Sequence, residues 1–254
     1  MSPSIPSPFT RRISERRKEL EALQAYPEEK LVSVIEEVGF SCTLCGKCCT
    51  RDFNGHVLLL DDDAARMLSR DPACLEPPPV YDLCDQHGTF YVSGYTIRAG
   101  NDRAGTCQFL ERGRCRVYAD RPWVCRVYPY MLHREPDETG EVDWRQISGL
   151  DQHGEYHSQI PPENARDIAR DVKAFETAVL CQEIAFLEYI GEYFARHDLR
   201  HVRKRFDDRL REHQAGADIT VKVFFQDSLE PWLVGGHHTE RMPGTKGQGS
   251  SGDR

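Results

Sequence analysis

The chain has 254 residues, 33 Lys and Arg against 41 Asp and Glu, a net charge of −8, and only 39% hydrophobic residues. That length can bury a core without disulfides, and the acidic balance speaks against a nucleic-acid binder that relies on an overall positive field. No run approaches the ~18 consecutive apolar residues of a membrane helix, and no apolar secretory stretch opens the chain, so the expectation is a cytoplasmic protein with no membrane span and no nucleic-acid partner.

Residues 1–10 are rich in Ser and Pro and are expected to be disordered. Residues 11–39 read as two helices. The first is strongly charged, with Ile13, Leu20 and Leu23 on one side. The second opens at Pro27 with Glu28 and Glu29 in its first turn, runs through Leu31, Val34, Ile35 and Val38, and meets Gly39 where a C-terminal cap belongs.

A cysteine-cluster domain is expected over 40–135. Within it His56–Leu60 reads as a short buried strand, and Asp61, Asp62 and Asp63 as the N-cap and acidic first turn of a helix to about Arg70. Residues 71–88 read as a Pro-rich loop, Phe90–Arg98 as a strand or a hairpin bent at Gly94, Arg114–Tyr118 as another short strand, and Pro122 as the start of a helical turn. A helical extension follows over 160–226. Its first helix carries Ile168, Val172, Phe175, Val179, Phe186, Leu187, Ile190 and Phe194 as one stripe, and its second, about 199–214, has Val202, Phe206 and Leu210 on one face. Ile219–Phe225 reads as a final strand and 235–254 as a disordered tail. The fold class is α+β: a small irregular cysteine-cluster domain with few short strands, plus helical N- and C-terminal extensions.

Nine of the ten cysteines lie between residues 42 and 125. The run Cys42-x-x-Cys45-Gly-Lys-Cys48-Cys49 winds several sulfurs onto a tight turn, and Gly46 lets the backbone wrap closely around what they hold. Thiolates are soft ligands that select zinc, copper(I) or iron–sulfur clusters, and C-x-x-C-x-x-C opens the bacterial ferredoxin run. The pattern then departs from that run: Asp52 stands where the fourth cysteine would be, and Cys49 is added. Further ligands are available at Cys107, Cys115 and Cys125. Seven cysteines exceed one four-coordinate site, and spacing does not say which sulfurs share one.

The two blocks, F-x-C-x-x-C-G-x-C-C at 40–49 and C-x-F-L-x(4)-C-x-V-Y-x-x-R-P-x-x-C-R-x-Y-P at 107–129, resemble the CxxCxxCC family, the YkgJ-type cysteine-cluster proteins described as zinc- or iron-chelating. The resemblance implies metal or iron–sulfur binding through Cys42, Cys45, Cys48, Cys49, Cys107, Cys115 and Cys125. It implies little about a reaction, although some relatives are linked to lysine methylation of flagellin.

Arg51, Arg116, Arg121 and Arg126 flank the cysteines. Arg121 and Arg126 either donate hydrogen bonds to thiolates or brace the loops by pairing with Asp120 or backbone carbonyls. Trp123, Tyr118 and Tyr128 are expected to shield the site. Cys74 and Cys84 read as auxiliary or incidental. Cys181 falls opposite its helix's apolar stripe and is expected not to be a ligand. His56 is the best candidate for a mixed ligand yet suits the start of a strand; His133, His153 and His157 are scattered over a polar loop, and His237 and His238 lie in the tail.

A radical-SAM C-x(3)-C-x-x-C, a G-x-G-x-x-G, a P-loop and an H-E-x-x-H are all missing from the sequence. The expected cofactor is an iron–sulfur cluster of the 4Fe-4S kind, with zinc or mononuclear iron as alternatives. The expected function is metal binding, as a redox protein with an unidentified protein or redox partner or as a cluster-dependent enzyme. A structural zinc module and a protein-lysine methylase-like enzyme are the alternatives.

Overall fold

A computed structural model describes residues 5–130, 135–136, 142–143, 149–236 and 238–243. Helix α1 (Ser7–Ala25) packs with α6 (Pro162–Arg196), and α2 (Glu28–Val38) follows after Pro27. Gly39 takes the left-handed conformation (φ 53°) as the cap of α2, with its N–H bonded to the Ile35 carbonyl. A short turn at Lys47–Cys49 leads into α3 (Arg51–Asn54), and α4 (Asp61–Arg70) begins on its three aspartates. Strands β1 (Leu75–Glu76), β2 (Leu83–Cys84), β3 (Phe90–Ser93), β4 (Thr96–Ile97), β5 (Leu110–Glu111) and β6 (Arg114–Cys115) precede α5 (Trp123–Val127). A small pair, β7 (Glu135–Pro136) and β8 (Val142–Asp143), precedes α6. The chain then continues through α7 (Arg203–Gln214), β9 (Ile219–Phe225), β10 (Ser228–Val234) and β11 (Thr239–Arg241).

The α+β class holds, and the C-terminal segment is woven into the centre of the fold. The five-stranded sheet has the order β11-β10-β9-β3-β2, with β9 parallel to β3 and the other neighbours antiparallel. One face of β3 and β9, carrying Phe90, Val92, Ile219, Val221, Val223 and Phe225, packs in a core with Ala64 and Met67 of α4. The opposite face presents Tyr91 and Phe224 to Phe186, Ile190 and Phe194 of α6 and to Phe9 and Ile13 of α1. A third core joins α2, α5 and the first half of α6 through Leu31, Ile35, Val124, Val127, Ala169 and Val172. At ~1.5 Å per residue the 35 residues of α6 extend about 52 Å, long enough to serve the second and third of these cores.

The expected disorder of residues 1–10 is corrected from Ser7 onward. Phe9 is buried, with its ring 5.4 Å from Phe194 in an edge-to-face contact, and Gly191 gives α1 room to approach. Residues 1–4 lie outside the described residues. The expected tail is likewise corrected at Thr239–Arg241, which pairs with β10; His237 and 244–254 lie outside the described residues.

His56–Leu60 does not form a strand. Only Leu58 bridges, to Thr96, because Leu59 turns into the core while Leu58 stays exposed and Asp61 at once begins α4. Phe90–Arg98 is not a hairpin either: after Gly94, β4 pairs with β1 rather than returning along β3. Ile219–Phe225 is not the last strand, since β10 follows through a tight turn at Gln226 and Asp227, both at positive φ. The loop expected at 71–88 contains β1 and β2, and both Cys74 and Cys84 are buried in the sheet-side core, where burial pushes each thiol up to about 11.

Candidate metal centre

The first cysteine block is laid on an irregular turn. Leu44 (φ 57°) and Gly46 (φ 75°) take left-handed conformations, and the Cys49 N–H closes back on the Gly46 carbonyl at 3.0 Å. The second block comes alongside through the backbone itself: the Cys107 N–H donates to the Cys49 carbonyl at 2.8 Å, next to a bridge between Thr50 and Thr106. The hairpin β5–β6 turns on Arg112 and Gly113, both at positive φ, and returns Cys115 opposite Leu110. Cys125 lies in α5. Cys115 is thus carried by a strand and Cys125 by a helix, whereas the first block stands on an irregular turn.

Helix α5 is positioned by Asp63 of α4. This buried carboxylate accepts the Trp123 backbone N–H at 2.7 Å at the helix N-terminus and also pairs with Arg66. Replacing Asp63 by alanine is expected to cost about 2 kcal/mol, because the part-buried Trp123 N–H loses its acceptor and Arg66 loses its carboxylate partner together. Urea unfolding would measure it, and a loss below ~0.5 kcal/mol would remove Asp63 from this role.

All seven cysteines of the two blocks line one cavity of about 410 Å³, between the sheet-side core and the helical core. Phe40, His56, Phe109, Tyr118, Arg121 and Tyr128 also line it. Cys42 and Cys45 are exposed and the other five cysteines are half-buried, so the cavity has an open rim and a protected interior. Cys74, Cys84 and Cys181 do not line it, and Cys181 is exposed on α6. Among the described residues, no three Cys, His, Asp or Glu side chains converge as they stand into a chelating group.

The thiols are unequal. The Cys49 thiol donates to Cys48, which together with its own backbone N–H and the nearby Arg121 charge lowers Cys48 to about 7; Cys49 is correspondingly pushed up. Cys45 is lowered by the Lys47 backbone N–H, with a further contribution from that of Gly154. Cys107 and Cys125 are raised, chiefly by burial. The shifts at Cys45 and Cys48 favour the thiolate, the form in which a cysteine can bind metal.

The flanking arginines divide. Arg121 lines the cavity with its guanidinium 4.4 Å from the Tyr118 ring centroid. Arg126 does not line it; it lies over Trp123 at 5.6 Å and faces a separate cleft with Asp61, Asp62 and Gln182. Arg51 pairs with Glu76 and Arg116 with Glu111. The pairing expected for Asp120 is with Arg70 instead.

Two histidines line the cavity. His56 was singled out by its nearness to the cysteine run; its Nδ1 is buried without a partner, and burial lowers its pKa. His153 carried no such signal, because it follows Cys125 at a distance that matches no ligand spacing. Its loop reaches the cavity through pairing that sequence does not display. Ser41 and Glu155 exchange backbone hydrogen bonds at 2.8 and 3.0 Å, and the His157 and Ser158 N–H groups donate to Val38 and Gly39. Lys47 adds a bond from Nζ to the Gln152 carbonyl at 2.8 Å. His133 lies outside the described residues.

Residues 41–148 match the model of the CxxCxxCC family, described as "Putative zinc- or iron-chelating domain". No curated protein and no solved structure matches this chain. The donor set accords with such a domain, since seven soft sulfur donors around one cavity suit zinc or iron. No described helix is long and apolar enough to cross a membrane.

Proposed function

We propose, from the premise that residues 41–148 belong to this zinc- or iron-chelating family, that the protein holds an iron–sulfur cluster through the two-block cysteine set. The observation that carries the reading is the size of the sulfur-lined cavity. A single zinc ion bonds thiolates at ~2.3 Å and draws four sulfurs into mutual contact, which needs no space of this kind. A cavity of about 410 Å³ with seven sulfurs on its wall suits a polynuclear centre.

Such a cluster supplies one-electron chemistry. The chain's own residues would set the conditions for it. Phe40, Phe109, Val124 and Tyr128 exclude water from the inner wall, and Arg121 places positive charge beside surplus thiolate charge. The exposed rim at Cys42, Leu44, Cys45 and Tyr118 offers a redox partner protein its approach.

Metal analysis of anaerobically purified protein tests this. Iron with acid-labile sulfide and broad visible absorbance are expected; a colourless protein with stoichiometric zinc would replace the proposal with a structural zinc site. Replacing Cys45 by serine is expected to reduce metal content at least several-fold, whereas Cys181→Ser should leave it unchanged. Equal metal in the two variants would overturn the ligand assignment.

A further inference from the structure

We propose that His153 is a nitrogen ligand of the same centre, binding through Nε2 and making it a mixed sulfur–nitrogen site. The inference rests on the metal-binding reading above and extends it to a residue beyond the segment that the family covers.

His153 is only 7% exposed, and its ring lines the cavity with the seven cysteines. Its Nδ1 stands 3.1 Å from the Gly149 carbonyl. A carbonyl only accepts, so Nδ1 carries the proton and Nε2 keeps a free lone pair. A backbone carbonyl bonded to one imidazole nitrogen is the arrangement that orients a metal-binding histidine and fixes its tautomer. Nε2 is buried with no hydrogen-bond partner. Buried polar atoms in folded proteins are nearly all satisfied, so an orphaned acceptor at the wall of a thiol-lined cavity calls for a Lewis acid.

The surroundings hold the ring in place. Phe53 lies 4.8 Å away, Tyr128 5.3 Å, Phe40 5.6 Å and Tyr156 5.9 Å between ring centroids. Gly149 and Gly154, both at φ 66°, leave the space these rings need: a Cβ on Gly149 would meet His153 Cε1 at 3.0 Å and Phe53 closer still. The Gly154 N–H also reaches Cys45, so the residue after the histidine already bonds to an expected ligand. His56 is the rival. It too has an orphaned nitrogen, but as a residue it is only half-buried, and it stands within the influence of the Arg51–Glu76 pair.

Binding through Nε2 displaces no proton, unlike binding by a thiol, and leaves the bond to Gly149 intact. The test is the full chain reconstituted anaerobically with ferrous iron and sulfide, reduced, and labelled with ¹⁵N-histidine. Pulsed EPR of the wild-type protein should show one strongly coupled nitrogen. His153→Gln should lose that coupling while retaining the apo-protein's thermal midpoint, and His56→Ala should keep it. Metal bound without any coupled nitrogen would overturn this inference and leave the cysteine centre standing, as would coupling that disappears in His56→Ala alone. A wild-type chain that takes up no metal would overturn both readings.

Discussion

Replacing Gly39 by alanine is expected to destabilise the protein by on the order of 3 kcal/mol or more and to reduce its metal content. Gly39 caps α2 in the left-handed region, which costs any other L-residue about 1 kcal/mol. The larger contribution is steric. An alanine Cβ would stand 2.7 Å from the backbone nitrogen of Ser158 and nearer still to its carbonyl oxygen, and backbone atoms cannot rotate away as a side chain can. Relief requires residues 155–158 of the loop to withdraw from residues 38–41, breaking the bonds from His157 to Val38 and from Ser158 to Gly39. Those bonds set the direction in which the chain enters Cys42 and bring His153 to the cavity. Denaturant unfolding and metal content measured together check the argument. Loss of less than ~1 kcal/mol with full metal occupancy would show that the loop is not held as described.

Removing the metal with a chelator under reducing conditions should lower the unfolding midpoint by about 10 °C or more. None of residues 41–50 is buried, and none of 110–121 is either. These two stretches hold five of the seven cysteines, and little apolar surface fastens them to the cores. Metal binding that occurs only in the folded state adds its free energy to folding, and structural sites contribute apparent values of ~10 kcal/mol. For a chain of this size, each kcal/mol moves the midpoint by ~2–4 °C, so a few kcal/mol suffice. Calorimetry before and after chelation, followed by re-addition of metal, measures the difference. Superimposable transitions would mean that the centre contributes nothing to holding the loops.

The elements that sequence displayed most clearly are those whose signals are local. Pro27 and Gly39 bracket α2, three aspartates open α4, and the long apolar stripe marks α6. The beginning of α1 was hidden because Ser and Pro dominate its composition, and what orders Phe9 is α6, far away in the chain. Two-residue strands such as β1 and β2 are shorter than any alternation that could reveal them. Strand β10 was masked by Pro231 and by a turn at Gln226 and Asp227 in place of the usual Asn-Gly signal.

The site divides in the same way. The cysteines stood out because ligand spacing is a sequence pattern, and the seven do line one cavity. His153 did not, because its nearness to them depends on a backbone pairing between Ser41 and Glu155. Arg121 and Arg126 look equivalent in the sequence, five residues apart around the same cysteine. One lines the cavity and the other does not, because α5 turns the second toward α4 and α6.

The place of β9 between β3 and β10 has a consequence for the order in which the molecule can be built. Phe90 pairs with Val221 and Val92 with Val223, so the sheet behind the cysteine segment stays incomplete until synthesis has passed β9, about 130 residues beyond β3. Before then β3 has only the two-residue β2 beside it, and the apolar faces of Phe90 and Val92 lack the strand that covers their edge. Contacts this distant in sequence are slow to form, and partly built sheets expose edges that aggregate. A nascent chain therefore presents its thiols well before it possesses the scaffold that positions them, and a fragment cut to residues 41–148 would inherit that vulnerable stage permanently.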